Sequence, residues 1–376
     1  STFHALDTQT PGAANASAEL LIDDVVINEI MYAPLSGKGR DEYVELHNRG
    51  TNSVDMSYWR FVSGIDYLFP PGAQIAAGGY LVIARDLENL LFKNPQLNSG
   101  NALGNFSGRL SNRGERIALA KPDDPGLPFE DLVVMDEVTY GDGERWGKWT
   151  DGGGSSLELV DPRSDNRLSL NWRGSDETEK SNWITIERTG PLDQGTMDAS
   201  HQFVSNLFVF LAQAGECLVD DIEVFRDSES TNRIVNSGFD TGLGEWNPDG
   251  THWLSSYEAT DGFNSPGSMH VRASDSGAIE GWVNYAKANE VNNIAAPLTT
   301  IGLPGETFTI RAKARWQAGW PYCILGFDGE WLEAAGELQV PPNLGTPGLQ
   351  NSSYSNNVGP AISELMHAPI MPAAGE

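Results

Sequence analysis

The apolar residues of this chain come in runs of four to eight, and Gly, Pro, Asn or Asp closes nearly every one. A run of that length fits a strand and is too short for a helix that must bury a stripe over several turns. The 41 glycines and 21 prolines push the same way, because inside a helix they cost about 1 and 3 kcal/mol each. The pattern predicts an all-β chain of short strands and tight turns. EYVELHN, residues 42–48, shows the period directly: Val44 and Leu46 fall on one face, Glu45 and His47 on the other. One helix is predicted, over residues 86–93 (DLENLLFK), where Leu87, Leu90 and Leu91 keep helical spacing behind an acidic start. A chain of 376 residues has room for two or three such domains.

Charge and motif content exclude several function classes. The net charge of -28, from 52 acidic residues against 24 Lys and Arg, repels phosphate backbones and anionic lipid heads, so nucleic acid is not an expected partner. No run approaches the eighteen apolar residues of a membrane span, and membrane insertion is not expected. No signal peptide opens the sequence, so any export signal is expected to lie outside these residues. The six histidines, His4, His47, His201, His252, His270 and His367, show no metal-ligand spacing. There is no G-x-S-x-G elbow, P-loop or dinucleotide fingerprint, and the glycine pairs and triplets lie between strands. The chain is therefore expected to be no enzyme and to hold no organic cofactor. Its two cysteines, Cys217 and Cys323, are too few and too far apart in sequence for a disulfide framework. Both sit in apolar runs (ECLV, YCIL) and read as buried small hydrophobes.

A repeat sets the domain organisation. TPGAANAS at residues 10–17 returns as TPGLQNSS at 346–353, and VINEIMYAP at 26–34 returns as AISELMHAP at 361–369. Two matched pairs whose offsets, 336 and 335 residues, nearly coincide indicate a long internal period of about 335 residues. The Gly/Pro/Asn segment reads as a linker and the second motif as the first strand of the module after it. On this reading residues 1–20 are a linker behind a preceding module, 343–360 the next linker, and 361–376 the first strand of a following module.

Between these linkers the motifs become specific. INEIMYAP (27–34), DEYVELHNRG (41–50), FPPGAQIAAGGYLVIARD (69–86), LSNRGERIALAKPD (110–123), DEVTYG (136–141) and GGGSSLELVDP (152–162) together resemble the lamin-tail domain in its bacterial extracellular form. The resemblance implies an immunoglobulin-like β-sandwich over residues 21–172. It also implies a non-catalytic interaction module of large surface or secreted proteins. NLFVFLAQAGECLVDDIEVF (206–225) resembles the last strand of a carbohydrate-binding jelly roll, in which a paired Asp closes the sandwich and can face a structural calcium. NRIVNSGFDTGLGEWNPDG (232–250), SPGSMHVRAS (265–274) and TFTIRAKARW (307–316) resemble strands of the galactose-binding-like jelly rolls, over residues 231–342. This copy has no Asp-Asp strand of its own. Residues 173–230 are either additional strands of a shared sandwich or part of a second jelly roll.

Aromatic residues point to a ligand. Six of the eleven tryptophans, Trp246, Trp253, Trp282, Trp316, Trp320 and Trp331, fall in one stretch of the last third. Flat rings stack on the C–H faces of sugars while polar neighbours bond the hydroxyls. Trp246 and Trp316 are expected in the core. Trp253, Trp320 and Trp331 have loop-type neighbours, and with Tyr322, held beside Pro321 in AGWPYC, they are the candidate glycan-binding residues. Asp220, Asp221, Asn236 and Asp240 are the candidate calcium ligands, with turn and cap roles as the competing account. The expected function is a non-enzymatic binding or adhesion segment of a larger, secreted or cell-surface, multidomain protein. Its expected partners are a polysaccharide or cell-surface glycan, the neighbouring modules of the same chain, and further copies of itself. The alternatives are a structural repeat unit of a cell-surface fibre or envelope layer, and an accessory region of a secreted hydrolase or surface kinase-like enzyme.

Overall fold

The computed structural model describes residues 24–124, 126–192, 203–211, 213–227, 229–274, 292–328 and 332–345. The linker at 1–20, nearly all of that at 343–360 and the strand expected at 361–376 lie outside the described residues. At 45% strand and 7% helix the protein is all-β, as the short apolar runs require. It forms two compact units, one within residues 24–175 and one from Asp176 onward that also takes in Leu35–Gly37 and Gly152–Gly154.

The first unit contains β1 (Val25–Met31), β2 (Tyr43–Asn48), β3 (Val54–Asp55), β4 (Arg60–Ser63), β5 (Ile65–Leu68), β6 (Gln74–Ile75), β7 (Tyr80–Ala84), α1 (Leu87–Lys93), β8 (Ala102–Gly104), β9 (Ser107–Gly108), β10 (Arg116–Pro122), β11 (Leu132–Thr139), β12 (Leu157–Leu159) and β13 (Trp172–Gly174). A six-stranded sheet, β13-β12-β1-β2-β7-β8, and a five-stranded sheet, β11-β10-β4-β5-β9, enclose one core. Val44 and Leu46 lie fully buried in it with Ile27, Ile83, Ile117 and Leu119. The opposite face of the six-stranded sheet is drier than simple alternation predicts. His47 is buried and stacks on Tyr80 at 4.3 Å, and α1 lays Leu90 on Val82, Ala84 and Ala102. The helix starts as predicted, with the Asp86 carboxylate accepting from the Asn89 amide.

The 161–166 stretch, DPRSDN, closes this sandwich. Asp136 on β11 accepts from the Ile27 amide at the β1 bulge and from Asn166 Nδ2, each at 2.7 Å. Trp172 Nε1 in turn donates to the Asn166 carbonyl. Burial pushes the Asp136 carboxyl up to about 6 against these hydrogen bonds.

The second unit contains β14 (Ile184–Pro191), β15 (Val204–Leu211), β16 (Gly215–Arg226), β17 (Asn247–Pro248), β18 (Ser256–Glu258), β19 (Ser268–Ala273), β20 (Ile294–Gly302), β21 (Thr307–Gly319), β22 (Tyr322–Phe327) and β23 (Glu333–Glu337). Two five-stranded sheets, β14-β21-β16-β19-β18 and β17-β20-β15-β22-β23, form a β-sandwich. Residues 184–226 supply β14, β15 and β16 to the same two sheets as the later strands. β16 lies between β21 and β19, and β15 between β20 and β22. Trp246 and Trp316 fill the core. The indole N–H of Trp316 donates to the Gly319 carbonyl at 3.0 Å, which removes the cost of burying it.

Candidate functional site

β21 is thirteen residues long, alternating from Thr307 to Ala314 and buried throughout from Ala314 to Gly319. Ala312, Ala314 and Trp316 face the core, so Lys313 and Arg315 face outward, and Gln317 is the extra residue of the bulge opposite Glu216 and Cys217. The register sets what stands beside them. Leu218 of β16 is opposite both Arg315 of β21 and His270 of β19, and Glu216 is opposite Arg272. Polar groups on three neighbouring strands thus share one face. His270 donates through Nε2 to Glu216 at 3.0 Å and accepts from Arg272 Nη2 through Nδ1 at 3.0 Å. The Arg272 Nε also lies 3.6 Å from the same carboxylate. Gln317 is buried, and its Nε2 has no hydrogen-bond partner; nor has Arg315 Nε. Each unmade bond to a buried donor costs about 1–3 kcal/mol.

An aromatic corner borders this face. The Arg315 guanidinium lies over the Trp183 ring at 5.2 Å and pairs with Asp261. Trp183 meets Phe263 edge-on at 6.0 Å, and Lys313 Nζ lies 4.6 Å from the Phe263 ring centre. Phe263 and Asp261 arrive on the loop DGFNSPGS, residues 261–268, whose shape is set by Asp220. That carboxylate accepts from the amides of Asp221 and Phe263, both at 2.7 Å, and from Ser265 Oγ at 3.0 Å. Gly262 allows the tight return, because a Cβ there would strike the Gly267 carbonyl oxygen.

The four residues predicted for calcium fall in two roles. Asp220 spends its acceptor capacity on the loop. Asp221 sits at positive φ in the β16 bulge, where burial and then the charges of Glu223 and Asp240 raise its carboxyl, opposed by Lys313. Asn236 donates to the Gly242 carbonyl at 2.7 Å, and the Asp240 carbonyl accepts from the Tyr257 hydroxyl. Among the described residues no three His, Cys, Asp or Glu side chains are grouped to hold a metal ion.

Of the aromatic residues predicted for glycan, Trp253 is 66% exposed. It follows a 3-10 turn, Gly250–His252, fastened by His252, whose buried Nε2 accepts from the Leu211 amide. Trp320 is packed against the core with its ring 5.1 Å from Tyr322, and its Nε1 has no partner. Tyr322 is buried, and burial followed by Glu337 raises its phenol. Trp331 lies outside the described residues. Gly215 pairs with both Ala273 and Gly319, and the Ser274 amide donates to the Thr251 carbonyl. Trp253, Trp320 and Tyr322 are therefore at one end of this sandwich, but among them Trp253 alone offers an open ring. The polar face was not singled out from sequence. Its signal was the alternation in RAKARWQ and SMHVRA; which strands lie side by side is not readable there.

Residues 22–142 match the family model described as Lamin Tail Domain. That span covers β1 to β11, so the first unit is an immunoglobulin-like sandwich of the lamin-tail kind, and the chain joins it to a second β-sandwich. No curated protein matches the chain.

Proposed function

We propose that this chain is a non-enzymatic binding segment of a larger extracellular protein, in which the second sandwich, a carbohydrate-binding-like jelly roll, recognises a glycan. The observation that carries the reading is the outer face of β21, β16 and β19. There Glu216, His270 and Arg272 present donors and acceptors on the sheet face whose other side carries the half-buried Trp183 under Arg315. Sugar recognition asks for that pairing, a flat apolar ring for the C–H face and fixed polar groups for the hydroxyls. Trp253 adds an exposed ring at the end of the sandwich. The reading needs no metal. Binding to arrayed glycans and to insoluble polysaccharides, with calcium present, tests it. Arg272→Ala is expected to weaken retention at least tenfold with Tm nearly unchanged. An unmodified chain that retains no glycan would overturn the reading.

The repeat supports a second reading, a structural unit of a surface fibre. The I-x-E-x-M-x-A-P motif that opens with β1 recurs at residues 362–369 as I-S-E-L-M-H-A-P. Further copies at the same spacing in the parent gene are the expected outcome, and a parent without them removes this reading.

A further inference from the structure

The two cysteines, far apart in sequence, meet in the core of the second sandwich. Cys217 lies on β16, flanked in register by Trp316 and Val271; Cys323 lies on β22, flanked by Leu211 and Gly336. Both are fully buried, both are free, and both face the core from opposite sheets. Both belong to the same buried cluster, and the Cys323 thiol is close enough to act on the titration of Cys217. Among the described residues no β-ladder joins the sheet of β16 to the sheet of β22. We propose that Cys217 and Cys323 are the site of an inter-sheet disulfide, formed when the chain folds in an oxidising compartment.

The chemistry fixes when the bond can form. A thiolate is the attacking species, and burial raises the Cys217 thiol well above its ordinary range. The folded dithiol is therefore inert, and oxidation belongs to the stage before the core closes. One thiolate attacks a sulfur of a small disulfide such as oxidised glutathione and expels one glutathione thiolate. The second cysteine, as thiolate, then attacks the protein sulfur of that mixed disulfide and expels the other. Two S–H bonds are lost, one S–S bond is gained, and the oxidant leaves as two reduced glutathiones that take up the protons. The bridge closes a loop of about 100 residues, the range in which a cross-link most restricts the unfolded chain. Once the core has closed, no reductant reaches the bond. The proposal is independent of the glycan reading, since it needs only the sandwich.

The test refolds the full chain from the reduced, unfolded state, either in a glutathione buffer near about -200 mV or in excess dithiothreitol. Alkylation under denaturing conditions and intact mass give the result. The glutathione product is expected to take no alkyl group, to be lighter by two hydrogens, and to yield a 217–323 cross-linked peptide. Its Tm is expected to exceed that of the dithiol form by about 5–15 °C, and a Cys217→Ala/Cys323→Ala chain is expected to melt alike in both buffers. Alkylation of both cysteines, or glutathione on both, in a product with native near-UV circular dichroism would overturn the proposal. So would an equal Tm difference in the double variant. Export through an oxidising periplasm with alkylation at harvest reads the same mass change without refolding.

Discussion

His252 and Glu45 contribute to stability with opposite signs of pH dependence. Burial lowers the His252 imidazole to about 4, whereas an unfolded histidine titrates near about 6.5. As pH falls below the unfolded value, the unfolded chain binds the proton first, so stability is lost between the two values and levels off below the lower one. The loss amounts to about 3 kcal/mol. Urea midpoints at pH 7.5 and 4.5 should show it, and His252→Gln, which keeps an acceptor for the Leu211 amide, should flatten the dependence. Glu45 has the opposite sign. Burial, then the cross-strand Glu29, raises it to about 7, so its contribution is complete below the unfolded carboxylate value and fades as pH rises through 7. Tryptophans divide in the same residue-by-residue way. Trp316→Ala should cost about 3–5 kcal/mol, as expected for a fully buried indole, while Trp253→Ala should leave the urea midpoint in place. Trp320 rests against the core, so Trp320→Ala should also lower stability.

At the scale of elements, the 261–268 loop depends on one carboxylate from the neighbouring strand. Asp220→Ala leaves the Phe263 amide without its acceptor and the Ser265 hydroxyl with the Gly267 carbonyl alone, and a loss of about 1–3 kcal/mol is expected in urea denaturation. Asp220→Asn keeps one acceptor and should cost less. If Asp220 acts through the loop, either variant should also weaken glycan retention by displacing Phe263 and Asp261. Calcium that raised the Tm of the parent but not of Asp220→Asn would assign the residue to a metal instead. The elements themselves were largely legible. The strands at 42–48 and 307–316 and the helix at 86–93 follow from apolar period, caps and turn residues, all of which are local. What α1 covers was not legible, because an alternating strand does not reveal that its polar face will receive a helix. At the other end of the strand His47, on the face opposite Val44 and Leu46, is buried against the stacked ring of Tyr80 rather than under the helix.

For the whole molecule, the residue-level shifts predict that mild acidification acts differently on the two units. Between pH 7.5 and 5.5 the first unit should gain, through Glu45 and through Asp136, which burial raises to about 6. In the second, His252 loses stability while Glu333, which burial raises well above its ordinary range, gains it. Pulse proteolysis in urea, read on peptides from each unit, is expected to show the first unit's midpoint rising on acidification, and the second unit's rising more in His252→Gln than in the parent. A first-unit shift unchanged in Glu45→Gln, or a second-unit shift unchanged in His252→Gln, would overturn this account.

The sequence by itself determined the all-β class, the lamin-tail-like motif order in the first unit, and the burial of Trp246, Trp316 and both cysteines. These follow from local period and side-chain chemistry, which a chain carries whatever its topology. Only the tertiary structure decided which strands are neighbours. It placed β14, β15 and β16 in the later sheets, gathered Glu216, His270, Arg272 and Arg315 on one face, and turned Asp220 into the anchor of a loop. It also brought Cys217 and Cys323 into one core from opposite sheets across about 100 residues of intervening chain. The physical reason is common to all four: strand order and register are set by how apolar faces pack after the chain has collapsed, and no short stretch of sequence contains its own cross-strand partner.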